Sequence, residues 1–147
     1  MIHRVGRPPD VEDEHAGKWN GLGGKMEADE SPLEAARREF HEESGIALAD
    51  GDLSASGVIH FPNFKAHKNE DWIVYLFRAE ISREKSLDLR ETSEEGTLHW
   101  ISESEVAKLN LWPGDRFFLP LVLAGTPVVG TIWYEGQEVR RHWIQSV

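Results

Sequence analysis

A mixed α/β (α+β) fold with its sheet in the middle is the class this sequence predicts, and three stretches predict it. Residues 31–45 read as a helix marked at both ends. Residues 71–81 (DWIVYLFRAEI) read as an apolar and aromatic strand, and residues 127–147 as a terminal hairpin. Elements in such mixed order pack as helices against a sheet, the arrangement of an α/β/α sandwich. At 147 residues, 39% of them apolar and six of them tryptophan, the chain is expected to form one domain over 1–147 with a sizeable core.

Met1 to Arg4 looks like the end of a strand, broken by Gly6-Arg7-Pro8-Pro9-Asp10. A polar loop over 11–17 follows, then GKWNGLGGK over 17–25. Its four glycines suit tight turns and a close approach of backbone to a ligand. The helix is written most clearly. Ser31 caps it, Pro32 takes its first position, Glu34 completes a capping box, and Gly45 ends it in the left-handed conformation. A helix turns about 100° per residue, so Glu39, Glu42 and Glu43 share one face with small Ala35 among them. Leu33, Ala36 and Phe40 fall on the neighbouring sector and are expected to dock the helix onto the core.

Past Gly45 the pattern turns to strands. Gly57 to Phe61 is a short apolar run, and Phe61 to Asn69 is expected to be a loop. Asp71 to Ile81 is expected to be a central strand buried on both faces. Ser82 to Gly96 is charged and reads as a loop, and Thr97 to Ile101 as a strand. Ser102 to Glu105 opens a second capped helix carrying Val106 and Leu109. A third short helix starts near Asp115 and is constrained by Pro120. The closing hairpin turns at Glu135-Gly136-Gln137.

The net charge of −10 argues against a polymeric nucleic acid bound through its phosphates. A phosphorylated small molecule remains open to an acidic protein when cations bridge the two sets of negative charge. Without cysteine there are no disulfides, thiolate metal sites or thiol nucleophiles. No apolar run spans a membrane and no signal peptide is visible, so a cytoplasmic location is the default expectation. Three glutamates on one helical face repel one another. A solvated acidic face and a bound divalent cation, for which hard oxygen ligands are suited, both account for them.

The spacing around that helix separates the two. Gly24, five residues, Glu30, seven residues, Arg38-Glu39, apolar Phe40, one residue, Glu42-Glu43, one residue, Gly45 and apolar Ile46 match the Nudix box at every fixed position. The chain resembles the Nudix hydrolases, with the box at 24–46. GKWNGLGGK, LWPGDRFFLPLVL and the terminal hairpin make it similar to the MutT-like 8-oxo-dGTP diphosphatases. The resemblance implies Mg²⁺-dependent hydrolysis of a purine nucleoside triphosphate, such as 8-oxo-dGTP, to monophosphate and pyrophosphate, with Mn²⁺ able to substitute. Relatives acting on dinucleoside polyphosphates or on nucleotide sugars such as ADP-ribose, and a binding module without catalysis, are the alternative implications.

Carried over residue by residue, Glu39, Glu42 and Glu43 are the metal-binding and base-supplying glutamates, and which one is the base stays open. The Gly24 carbonyl completes the metal shell, Arg38 orients a glutamate, and Glu95 is an outlying acidic ligand. Asn20 matches a purine-edge contact, and Phe61 and Trp112 match the walls of a base pocket. Lys25 and Arg4 are candidate phosphate contacts. Asp115 matches one of an adjacent acidic pair that reads the base, and Gly114 stands where the other would be, so strict oxidised-guanine selectivity is not implied. The chain also begins where a second family strand should be ending. Either the start lies upstream or the sheet lacks a strand, and an unpaired edge would invite an edge-strand dimer.

Overall fold

The computed structural model describes residues 1–4, 15–49, 51–65 and 68–147. The expected breaks over 6–10 and most of the 11–17 loop lie outside the described residues. The elements are mixed α and β: β1 (Ile2–Arg4), β2 (Trp19–Asn20), α1 (Pro32–Ser44), β3 (Leu53–Lys65), β4 (Glu70–Ala79), α2 (Arg83–Ser86), β5 (Gly96–Leu98), α3 (Glu103–Val106), α4 (Asp115–Leu123), β6 (Val128–Glu135) and β7 (Glu138–Ser146). They form two compact units. Met1–Leu53 with Ala79–Leu111 is the first, and Ser54–Arg78 with Trp112–Val147 the second. Among the described residues no helix is long and apolar enough to cross a membrane.

The first unit holds a small antiparallel sheet, β2-β1-β5, in which Ile2 pairs with Asn20 on one side and Leu98 on the other. Helix α1 is built as its sequence prescribes. The Ser31 hydroxyl accepts from Glu34 N at 3.3 Å while the Glu34 carboxylate accepts from Ser31 N at 2.8 Å. Gly45 ends the helix with φ +79°, a conformation cheap only for glycine, and its N–H reaches His41 O. The packed face differs from the expected one. Leu33 is 44% exposed, whereas Ala35, Glu43 and Ser44 are buried. The line Ala35–Glu39–Glu43, spaced at i+4, therefore turns inward, because the deepest carboxylate has a partner waiting for it.

The second unit holds a mixed sheet ordered β4-β3-β6-β7. Strands β3 and β6 run parallel and β6 and β7 antiparallel. Ile59, Val128 and Ile132 from the sheet and Phe118 and Val122 from α4 make its core. The hairpin turns at Gly136-Gln137, with an irregularity between Trp133 and Tyr134. Several boundaries correct the sequence expectations. Strand β3 runs on to Lys65, so the loop expected from Phe61 is strand up to that point; its pairing with β6 ends at His60, so Pro62 breaks no β6 bond. Among the described residues strand β4 lies at an edge of its sheet and is not central, with Ile73 58% and Tyr75 43% exposed. The 82–96 segment contains one turn of helix, α2, whose cap Ser82 accepts from Lys85 N. Helix α3 is a single turn that stops before Leu109, and the Ser102 hydroxyl meets the Ser104 hydroxyl rather than capping it.

Candidate active site

The site is assembled from α1 and the loop before it, both in the first unit. Glu43, 6% exposed, receives the Gly23 N–H on its Oε2 at 2.8 Å. Burial pushes its carboxyl pKa up, the Gly23 bond opposes that, Glu39 adds to it, and Arg4 and the Met1 amino group oppose it. Glu39, one turn earlier, faces Gly24. A Cβ built at Gly24 would stand 2.6 Å from Glu39 Oε2 and closer still to the rest of that carboxylate. Only a glycine lets the backbone come this near. Glu42 is the outermost of the three, with 57% of its side chain exposed.

Arg38 ties the cluster together. Its Nε and Nη2 donate to the two oxygens of Glu30 at 2.8 and 2.9 Å, and its Nη1 donates to Glu39 Oε1 at 2.8 Å and Glu42 Oε2 at 3.2 Å. Nη2 also reaches Lys25 O at 3.0 Å, which fastens the glycine loop to the helix. Glu30 is held below the usual carboxylate range by that arginine, then by Glu27 N–H. Arg38 thus contacts two of the three glutamates, and Glu30 is its bidentate partner. Sequence reasoning gave Glu30 no role beyond its place in the box.

Among the described residues no three His, Cys, Asp or Glu side chains stand close enough together to hold a metal ion. Glu39 and Glu42 are turned to Arg38 and Glu43 to Gly23, and that division of partners keeps the carboxylates apart. The donor set nevertheless fits a hard divalent cation: three carboxylates and the Gly24 carbonyl offer oxygen alone, and no Cβ intrudes at Gly24. The outlying pair behaves differently. Arg4 and Glu95 form an ion pair with each other, while Arg4 Nε is buried without a hydrogen-bond partner among the described residues. Asn20 lies in β2 opposite Ile2, and Lys25 is exposed.

The expected base-recognition aromatics lie in the second unit. Phe61 contacts Phe64 at 5.6 Å between centroids, and Phe64 contacts Trp112 at 5.8 Å, Trp72 at 5.0 Å and Tyr134 at 5.4 Å. Phe64 is therefore in ring contact with both residues expected to flank a base, and Trp112 is only 7% exposed. Asp115 starts α4. Beside it Gly114 N–H donates to the Tyr134 hydroxyl at 2.7 Å, and a Cβ at Gly114 would come within 2.6 Å of that oxygen. A side chain at position 114 would therefore have to displace that hydroxyl. Phe64, Trp72 and Tyr134 carry no motif spacing, and nothing in the sequence alone marked them.

Comparison with known proteins places this arrangement. A model of the NUDIX domain matches residues 1–122. The chain belongs to that family. It is a Nudix pyrophosphohydrolase, of a family generally dependent on a divalent metal. It is 32% identical over 124 residues to an oxidized purine nucleoside triphosphate hydrolase of Danio rerio, covering 84% of this chain and 74% of that one. The Mus musculus protein of the same description is 30% identical over 123 residues, with the same coverage. Among solved structures, the MutT protein of Bacillus halodurans superposes with a TM-score of 0.73 at 28% identity, covering 91% of this chain and 86% of its own. In this Nudix enzyme the box residues are those that α1 and its loop bring together.

Proposed function

We propose that the chain hydrolyses a purine nucleoside triphosphate to the monophosphate and pyrophosphate, 8-oxo-dGTP being one candidate, with Mg²⁺ held by Glu39, Glu42, Glu43 and the Gly24 carbonyl. Mn²⁺ can take its place. The observation that carries this reading is the clasp of Gly23-Gly24 on Glu43 and Glu39, which fixes two carboxylates against backbone. The descriptions of the Danio rerio and Mus musculus relatives support the purine triphosphate class. When bound, the metal neutralises phosphate oxygens and favours in-line attack by water.

The chain's own residues do the rest. Arg38, anchored on Glu30, sets the rotamers of Glu39 and Glu42. One glutamate of the cluster accepts the proton of the attacking water, and Lys25 meets the phosphates. Arg4 is engaged by Glu95, so it contributes to phosphate binding only if that pair opens. The ring cluster around Phe64 offers stacking faces suited to any purine, and Asp115 is the carboxylate beside it. With Gly114 at the neighbouring position, one carboxylate is left to read the base edge, and both dGTP and 8-oxo-dGTP should be turned over.

Pyrophosphate release tests this, with dGTP, 8-oxo-dGTP, diadenosine polyphosphate and ADP-ribose supplied in millimolar Mg²⁺. The triphosphates should be cut and Glu43→Gln should lower turnover by at least about 10²-fold with unfolding unchanged. Preference for ADP-ribose or the dinucleotide, or near-normal turnover by the Gln variant, would overturn the reading.

A further inference from the structure

The C-terminal end of α1 is held from outside the box. Gly45 N–H donates to His41 O at 2.8 Å, so the carbonyls from Glu42 onward lie beyond the α-helical ladder and need other donors. Two of them are met by one residue, Arg90, 48 positions past Glu42. Its Nη1 donates to Glu42 O at 3.1 Å, and its backbone N–H donates to Ser44 O at 2.9 Å. The side chain gets there by crossing over Gly45. A Cβ on that glycine would stand 2.7 Å from Arg90 Nε and 2.9 Å from Arg90 Cγ, so Gly45 makes room for the arginine as well as ending the helix. A guanidinium also suits this end, where the helix macrodipole leaves partial negative charge.

We infer that Arg90 is a positioning residue for Glu42, a role resting on the metal-site reading proposed above. The three carboxylates are not held equally. Glu39 is fixed by the close approach of Gly24 and by Arg38, and Glu43 is buried against Gly23 N–H. Glu42 sits in the final turn, where helices fray first. Its side chain is 57% exposed, and Arg38 reaches its carboxylate at 3.2 Å. The place of that carboxylate therefore depends on the backbone of Glu42, and Arg90 bonds the carbonyl of that very residue. Arg90 also joins α1 to the segment carrying Glu95. Leu98 N–H to Glu91 O at 2.9 Å and Ser93 N–H to Gly96 O at 2.8 Å close 91–98 into a tight loop. Truncating the Arg90 side chain spares its own N–H bond to Ser44, so the loop stays attached and the hold on Glu42 is what relaxes.

The test compares Arg90→Met, which keeps an apolar stem over Gly45 and loses the donor, with Arg90→Lys, which keeps a cationic donor. On the full chain without metal, hydrogen exchange at the Gly45 amide should quicken at least about tenfold in Arg90→Met, while the Ala35 amide near the other end of α1 is unchanged. Melting should stay within a few degrees of the wild type. The dissociation constant for Mn²⁺, read from the paramagnetic resonance of the free ion, should rise several-fold. Turnover at saturating metal should fall by about tenfold, a fraction of what a full misplacement costs. Arg90→Lys should recover most of each loss. A role confined to stability would lower Tm and leave Mn²⁺ affinity and turnover unchanged below the melting range, which overturns the inference. So does wild-type exchange at Gly45 in Arg90→Met, or an Arg90→Lys variant as impaired as Arg90→Met. A wild-type chain that releases no pyrophosphate from any nucleotide strikes the proposed function instead, since the exchange and Mn²⁺ comparisons still decide the role of Arg90.

Discussion

Replacing Gly24 by Ala adds one methyl group at the tightest point of the site. The new Cβ would meet Glu39 Oε2 at 2.6 Å, and the rest of that carboxylate closer still, against ordinary contact beginning at 3.4 Å. The obstructing atoms are the end of a side chain, so the carboxylate can retreat by about 1 Å and the backbone stays in place. The loss in stability is then that of a strained, partly exposed Arg38–Glu39 ion pair, about 1 kcal/mol or less. For a chain of this length that amounts to roughly 2–4 °C in Tm. Function should suffer far more. A positioned group displaced by about 1 Å costs on the order of 10²-fold in rate.

Gly24→Ala should therefore lose about two orders of magnitude in turnover while melting within a few degrees of the wild type. Pyrophosphate release and thermal unfolding on the same preparation measure both. Wild-type turnover would refute the claim that Glu39 is held for chemistry by its proximity to Gly24. A collapse in Tm would refute the claim that the retreat is confined to one side chain.

Other outcomes follow from the same geometry. Millimolar Mg²⁺ or Mn²⁺ should raise Tm, and at about 100 times the dissociation constant the gain is about 2.7 kcal/mol, reversed by EDTA; an unchanged Tm would leave the oxygen donors without a ligand. Gly114→Ala drives a methyl into the Tyr134 hydroxyl and toward Ile132, and should cost about 1–3 kcal/mol by chemical denaturation. Adding Tyr134→Phe should return part of that loss. Burial pushes the Tyr134 phenol up to about 12, with Gly114 N–H opposing and Asp115 and Glu138 reinforcing. The folded chain thus holds this proton more tightly than the unfolded one. Its contribution to stability is complete below pH 10 and is lost as the pH rises from 10 toward 12. Phenolate absorbance of the Tyr75→Phe variant reads the titration directly.

Helix α1 was legible because everything that defines it is local. Ser31, Glu34 and Gly45 lie within a turn of the ends they mark, and both capping-box bonds form. Which side of the helix packs was not legible. Apolar periodicity selects Leu33, yet Ala35 and Glu43 go inward, because Gly23 N–H satisfies Glu43 and periodicity cannot register a hydrogen bond across twenty residues of chain. The same limit hid the position of β4. DWIVYLFRAEI has the composition of a buried strand, and only the sheet order, set by pairings far apart in sequence, makes it an edge. The box residues were found by spacing alone. Phe64 and Tyr134 meet Phe61 and Trp112 only through the packing of the second unit, which no local spacing records.

The acidic cluster looks different once its neutralisation is traced. Repulsion among Glu39, Glu42 and Glu43 would by itself call for a cation, but one is built in. A single Arg38 guanidinium touches Glu30, Glu39 and Glu42, while Glu43 is satisfied by a backbone N–H. The helix can therefore fold with its carboxylates partnered and oriented before any ion arrives. A divalent cation taken up by this cluster would compete with Arg38 for Glu39 and Glu42, and Glu30, gripping the same guanidinium through two bonds, would hold it nearby. Weakening that grip with Glu30→Gln should leave Arg38 freer to follow Glu39 and Glu42. Metal affinity, read as the Tm rise with Mn²⁺, should fall. An unchanged rise would show that Glu30 has no part in freeing those carboxylates.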